Sequence, residues 1–346
     1  MTKKVAVALS GGVDSAVAAL LLKQQGYEVV GITGKMLCDK SSEEVVINAK
    51  NVAKKLDIQH YTVDVSDIFK DKVINYFENS YIKGKTPNPC IMCNKHIKWG
   101  CLFDYAINTL NCDYIATGHY AKIVYKDCIY KLYPASDEHK DQLYFLFMLS
   151  QEQLSKTLFP LSDYKKDEIK ELALKYDLPP KSAKESQDIC FIKHPMNTKK
   201  YLNNVLAPTT GNFIDKSSGK ILGQHDGYWQ YTIGQRKGIG IAAPEPLYVL
   251  EIKSETNEVF VGYRELLSSN SLTLNDIKWA YPISSELEDV LVKIRYNMPP
   301  VKAKIINKEH FTSINFLEPV SGIAPGQACV LYDINDGHLL GGSFIC

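Results

Sequence analysis

The phrase Ser10-Gly11-Gly12-Val13-Asp14-Ser15 constrains this chain more than any other six residues. It stands between a short apolar run at 4–9 and an apolar helical pattern at 16–25 that Gly26 stops, so it reads as the turn from a first strand into a first helix. Adjacent glycines let backbone N–H groups close around an anion, and the positive end of the helix dipole adds to that site. A Walker-type loop needs a lysine after its glycine. The single Gly-Lys-Thr, at 84–86, has no upstream glycine and runs into Pro87, where a helix does not normally start.

The rest of 1–180 repeats the alternation of strand and helix. Strands are expected at 27–33, 60–65 and 114–117, with a helix at 43–56 opened by the capping-box spacing Ser41…Glu44. Further helical patterns lie at 151–157, behind Ser150, and at 165–176, ahead of Pro179-Pro180. Strands alternating with crossover-length helices mean an α/β fold with a doubly wound parallel sheet. Beyond about residue 205, short β-branched and aromatic runs at 247–252, 290–296, 301–306 and 328–332 are divided by turns at 217–219, 254–257 and 336–337. Such spacing suggests small antiparallel barrels.

No stretch approaches ~18–20 uninterrupted apolar residues, so no transmembrane helix is expected. The N-terminal apolar run is too short and too quickly glycine-rich for a secretory signal, which makes the cytosol the expected compartment. Charge is balanced throughout: 23 basic against 22 acidic residues in 1–180, and 17 against 17 after that. A nucleic-acid partner therefore has to be met by local patches. Arginine, the residue that supplies a fixed bidentate fork, occurs only at Arg236, Arg264 and Arg295.

Nine cysteines, an odd number in a chain of cytosolic character, point to free thiols, metal or catalysis, not a disulfide framework. In Thr86-Pro87-Asn88-Pro89-Cys90-Ile91-Met92-Cys93-Asn94-Lys95 two prolines hold the loop extended, and Cys93 falls at the start of a helical pattern reaching 110. A helix N-terminus there would lower the thiol pKa from ~8.5. The CxxC has no second pair at finger spacing, so zinc is poorly supported. Cys190 stands in Ser186-Gln187-Asp188-Ile189-Cys190-Phe191-Ile192, and spacing alone does not bring it to Cys93.

The motifs SGGVDS, TPNPxxxCNxxIK, ATGHYA, KDQxYFL, SQDICFI, YTIGQRKG and GxAPGQAxVxY occur in this order over nearly the whole chain. In that set and order the sequence resembles the tRNA-specific 2-thiouridylases, whose SGGVDS-type phrase is the PP-loop of ATP pyrophosphatases. The resemblance implies a PP-loop domain over 1–196, a small central domain over 197–267 and a tRNA-contacting C-terminal antiparallel β-barrel over 268–346. It implies ATP, with Mg²⁺, on Ala8, Leu9, Ser10, Gly11, Gly12, Val13, Asp14 and Ser15, with Gly34 and Gly118 near the adenosine. Cys190 would carry a persulfide and Cys93 would be the partner nucleophile. Asn88, Pro89 and Cys90 would face the target base, the wobble uridine. His119, Lys140, Asp141, Gln142, Arg295, Tyr296 and Gln327 would contact tRNA, and a cysteine desulfurase or sulfur-relay protein would donate sulfur.

This chain departs from the common pattern at Cys90, where an Asp usually stands. Two readings follow: a cluster-free persulfide route on Cys93 and Cys190, or a [4Fe-4S] cluster held by Cys90, Cys93 and Cys190 with one iron open. Cys38, Cys101, Cys112, Cys128, Cys329 and Cys346 read as packing or surface thiols. Tyr228, Trp229 and Tyr231, ahead of Gly234-Gln235-Arg236-Lys237-Gly238, leave RNA stacking and core filling both open. Two other functions fit parts of the pattern: a PP-loop enzyme that adenylates an amide or carboxylate, and a non-catalytic tRNA-binding or sulfur-carrying protein.

Overall fold

A computed structural model describes residues 2–178, 189–193, 195–283, 289–307 and 311–346. Residues 3–178 build a five-stranded sheet in the order β3-β2-β1-β4-β7. Its strands are β1 (Lys4–Ala8), β2 (Glu28–Lys35), β3 (Gln59–Asp64), β4 (Tyr114–Ala116) and β7 (Thr157–Leu158). Every pairing in this sheet is parallel, as the alternating pattern requires. Its central strand Lys4–Ala8 carries Val5, Ala6 and Val7, all fully buried between two hydrophobic cores.

Helix α1 (Val13–Gln24) packs against the sheet through an unbroken buried run from Ser15 to Leu22. Helix α2 (Lys40–Lys55) starts earlier than the sequence pattern suggests. Its N-cap is Asp39, whose carboxylate accepts from the Ser42 amide at 2.9 Å, so the expected Ser41 cap is corrected by two residues. Helix α3 (66–82) is α-helical at both ends with a π-turn, Lys70–Ile74, between them. Helix α4 opens at Pro89 and runs to 109, passing from Pro89–Cys93 into a π-helical stretch, Asn94–Leu102. A hairpin of β5 (Lys122–Lys126) and β6 (Ile129–Tyr133), not anticipated from the sequence, precedes α5 (Gln151–Ser155) and α6 (Lys166–Lys175). The expected Ser150 cap of α5 is present as a full capping box with Gln153. The Pro179-Pro180 stop lies outside the described residues.

After α7 (Thr198–Val205) the chain is all β. The first unit is a four-stranded sheet in which β8 (Gly211–Asp215) pairs β9 (Ile221–His225) antiparallel and β11 (Glu258–Gly262) parallel, with β10 (Tyr248–Lys253) at the far edge. The parallel pair corrects the expectation of a purely antiparallel texture. The second unit is a curled antiparallel sheet of seven strands, running from β12 (Ser268–Leu274) to β13 (Lys278–Trp279) at its two edges. Ala328, Val330, Tyr332 and Leu339 of this last sheet bury into the same core as Trp99, Phe147 and Phe191. No helix among the described residues is long and apolar enough to cross a membrane.

Candidate active site

The order β3-β2-β1-β4 reverses direction between β1 and β4, which makes the carboxyl end of that pair the place where a doubly wound sheet binds ligands. Residues 9–15 leave β1 there, and 117–119 leave β4. The Thr33 hydroxyl donates to the Leu9 carbonyl at 2.8 Å and fixes the start of the loop. The Ser15 hydroxyl then donates to the Gly12 carbonyl at 3.0 Å and accepts from the Ser10 amide at 3.2 Å, closing the loop on itself. Gly11 has φ +74°, and a Cβ there would meet the Asn48 Cβ at 2.7 Å. A Cβ on Gly118 would lie 2.8 Å from the Ser15 nitrogen, so glycine is what lets the β4 loop touch the phosphate loop. Gly34 sits at the matching end of β2 against Val65 and Leu102.

Two groups missed in the sequence complete this loop. The Lys166 ammonium lies 2.7 Å from both Asp14 carboxylate oxygens, and the Tyr120 hydroxyl donates to Asp14 at 2.9 Å. Lys166 is buried, yet its sequence setting is that of any lysine in an amphipathic helix, and no motif marks it. The loop lacks the Walker lysine, and a cation from α6 stands beside it instead.

The thiol site is assembled from separate stretches of chain. Cys90 and Cys93 lie on the first turns of α4. Cys190 is brought to them by Phe191, which packs edge-on against Phe77 and Phe69 of α3 with ring centroids 5.3 and 6.0 Å apart. The Lys193 ammonium pairs with the Asp39 carboxylate, so this segment is also tied to the N-cap of α2, and Asp39 falls to about 2 through that bond. The three thiols are near enough that charge on Cys90 and Cys190 is felt at Cys93, and charge on Cys90 at Cys190. Residues 186–188 of the SQDICFI motif lie outside the described residues.

The expected lowering of the Cys93 pKa is overturned. Helix α4 begins four residues earlier, at Pro89, and Cys93 is buried, which pushes its thiol up to about 12; the surrounding protein also desolvates the other two thiols, raising Cys190 to about 11 and raising Cys90, although both residues keep solvent-exposed surface. Opposing this is Lys98, whose charge draws all three thiols back toward ionisation. Five residues separate Cys93 from Lys98, and the i→i+5 bonding of the π-turn sets both on one face of α4. Lys98 closes the CNxxIK motif, and that position was the signal available in the sequence.

Among the expected tRNA contacts, several side chains are committed inside the protein. The buried His119 accepts a hydrogen bond at Nε2 from the Lys98 ammonium, 3.1 Å away, since an ammonium can only donate. Its Nδ1 therefore carries the proton and donates to the Thr117 hydroxyl at 2.6 Å. Burial and Lys98 together hold the ring neutral, with its pKa well below the usual 6.5. The Gln142 amide oxygen accepts from the Tyr120 backbone at 3.1 Å. One Arg295 terminal nitrogen donates to the Ile233 and Gly322 carbonyls at 2.7 and 2.6 Å. The Gln327 amide donates to Thr86 and Pro87. Lys140–Gln142 and Arg295-Tyr296, far apart in sequence, come near each other: the charge of Asp141 is felt at Tyr296, whose ring lies 4.5 Å from that of Phe145. Trp229 and Tyr231 are buried, with 6% and 7% exposure, which settles their reading as core filling.

Residues 3–194 match the family described as tRNA methyl transferase HUP domain, 199–263 the tRNA methyl transferase PRC-barrel domain, and 269–345 the Aminomethyltransferase beta-barrel domain. The chain is 43% identical to the tRNA-specific 2-thiouridylase MnmA of Nostoc punctiforme over 354 residues, covering 99% of each chain. It is 44% identical to the same-named protein of Carboxydothermus hydrogenoformans over 363 residues, covering 99% of this chain and 97% of that one. A solved U34-tRNA thiolase NcsA of Methanococcus maripaludis, with its [4Fe-4S] cluster, overlaps 54% of this chain and 61% of its own at 21% identity and TM-score 0.37, too loose a likeness to transfer any property.

Proposed function

The chain belongs to the family of the tRNA-specific 2-thiouridylases and is a PP-loop enzyme that thiolates uridine in tRNA, and from that premise we propose that ATP activates the C2 oxygen of the wobble uridine and that sulfur carried on Cys190 replaces it. The observation that carries this reading is the convergence of Cys190 with Cys93 beside a cation, Lys98, on the helix that leaves the Asn88–Pro89–Cys90 loop.

The chemistry balances with these groups. The uracil O2 attacks the α-phosphate of ATP, the bond to pyrophosphate breaks, and the oxygen becomes part of an AMP leaving group. Residues 9–15 supply backbone N–H groups for the phosphates, and Lys166 and Asp14 hold the loop in shape; Mg²⁺ would neutralise phosphate charge during departure. The terminal sulfur of a Cys190 persulfide then attacks C2 and AMP leaves. Attack by the Cys93 thiolate on the Cys190 sulfur breaks the S–S bond, frees thiouridine and leaves a Cys93–Cys190 disulfide for an external dithiol to reduce. Lys98 favours the Cys93 thiolate against the effect of burial. The sulfur donor would be a cysteine desulfurase or a relay protein, and Lys140, Asp141 and Tyr296 form the surface we assign to tRNA.

The test is nucleoside mass spectrometry of tRNA incubated with the enzyme, ATP and a persulfide donor. The expected product is uridine heavier by the replacement of oxygen with sulfur, at the wobble position only. Unmodified tRNA under these conditions overturns the reading.

One observation favours a second route: Cys90 stands with the other two thiols where an Asp is common. Cys90, Cys93 and Cys190 offer three thiolate donors, which suits a [4Fe-4S] cluster whose open iron would present sulfide. Anaerobic reconstitution separates the routes. Iron-free protein that turns over with a cysteine desulfurase, and keeps its activity in Cys90→Ser, supports the persulfide route. Iron-dependent activity that collapses in Cys90→Ser supports the cluster.

A further inference from the structure

The loop that presents Asn88, Pro89 and Cys90 is gripped from outside its own domain. The Thr86 amide donates to the Pro325 carbonyl at 2.7 Å. The Gln327 amide nitrogen donates back to the Thr86 carbonyl at 2.9 Å and to the Pro87 carbonyl at 3.4 Å. Between these two residues Gly326 has φ +90°, and a Cβ on it would fall 2.9 Å from the Thr86 oxygen. Residues 325–327 therefore fit around Thr86 as a clip, closed by hydrogen bonds from both sides and too tight for any side chain at its centre.

The clip is itself rigidly backed. The Gly326 amide donates to the Ile345 carbonyl and the Ile345 amide donates to the Gln327 carbonyl, both at 2.8 Å. The Arg295 guanidinium ties Gly322, just upstream, to Ile233 of the preceding unit. On the far side of the gripped loop, Asn88 is hydrogen-bonded through its backbone to Tyr76, whose ring lies against Phe344 at 6.1 Å. The last β-sheet thus meets the 86–88 loop on two sides.

From this we infer that Gln327 is a positioning residue for the base-facing loop, and that the C-terminal barrel sets the height at which Pro89 starts helix α4. Both Nε2 hydrogens of Gln327 are directed at carbonyls of that loop, so its donors are spent inside the protein and not on tRNA. A displacement of about 1 Å in a group that holds substrate can lower turnover about a hundredfold with little change in binding. The inference deepens the thiolation reading and rests on it for its kinetic part alone.

The experiment compares the full-length enzyme with Gln327→Met, which keeps length and loses both donors, and with Gly326→Ala, which alters no polar group. In Gln327→Met we expect kcat for tRNA thiolation to fall about tenfold or more while KM for tRNA stays within about twofold. Gly326→Ala should give the same pattern. Hydrogen exchange of the peptide covering 84–90 should quicken in both variants, whether or not the enzyme turns over. A rise in KM with kcat unchanged would make Gln327 a tRNA contact and overturn the inference. So would unaltered exchange at 84–90. If wild-type enzyme makes no thiouridine while exchange still quickens in the variants, the functional reading fails and the clip stands.

Discussion

The phosphate loop and the thiol site lie at the same edge of the same sheet, yet they are built in opposite ways. Residues 9–15 are one contiguous turn whose glycines, helix N-terminus and internal serine bonds are all specified within a few positions. The thiol site takes Cys90 and Cys93 from α4, Cys190 from a segment held by aromatic contacts, and its backing from a clip at 325–327. Local construction makes a site robust to changes elsewhere. Distributed construction makes it sensitive to packing far from the chemistry, because each contributor must arrive in register.

The largest effect that tests this contrast comes from Cys190→Ser and Cys93→Ser. Each should lower thiolation about a thousandfold or more while tRNA-dependent pyrophosphate release persists, since the thiols act after adenylation. Pyrophosphate release lost together with thiolation would show that the two regions are one functional unit. The reciprocal variants are Asp14→Ala and Lys166→Met. Pyrophosphate release should fall about a hundredfold in each, with the rate of Cys93 alkylation unchanged. Altered alkylation would show that the two sites cannot be disabled separately.

A smaller effect concerns Lys98. Burial lifts the Cys93 thiol to about 12 from an ordinary 9.0, so its alkylation should climb through the alkaline range between those values. Lys98→Met removes the cation that opposes that shift among the described residues, and alkylation at pH 9 should drop about tenfold. An unmoved pH profile would remove Lys98 from the thiol site. The smallest effect is expected at Asp141, which burial raises to about 6 from 3.8. The folded state then holds that proton more tightly than the unfolded chain, so stability declines as pH rises from about 4 to 6 and stays lower above it. Asp141→Asn should be more stable than wild type by about 3 kcal/mol at pH 7 and by almost nothing at pH 4, measured by denaturant midpoints. Equal midpoints at both pH values would show that the carboxyl is not desolvated.

The contrast also explains what the sequence disclosed. The parallel sheet, α1 and the phosphate loop were legible because hydrophobic period and glycine placement act over short range. Cys93 and Cys190 were recognisable as candidates, but their environment was not: the helix was expected to begin at Cys93, and it begins at Pro89 because the proline suits a first helical position. That shift, plus burial that only tertiary packing creates, reversed the sign of the predicted pKa change. Lys166 was invisible because nothing local distinguishes it before the fold brings it to Asp14, and Tyr120, although inside the ATGHYA motif, carries no local sign of that contact. The parallel β8–β11 pair was missed because strand direction is decided by connections, not by residue pattern.

The clip at 325–327 reaches back 241 residues to Thr86 and is itself tied to Ile345. During synthesis at about 5–20 residues per second, the loop would leave the ribosome well over ten seconds before its clip exists. Over that interval the nascent chain has a phosphate loop closed by its own serine bonds and a base-facing loop that Tyr76 holds at Asn88 but the clip does not yet grip. Reactive thiols would be present before the geometry that directs them. The long separation thus works as a timer, delaying a competent thiol site until the barrel has been made.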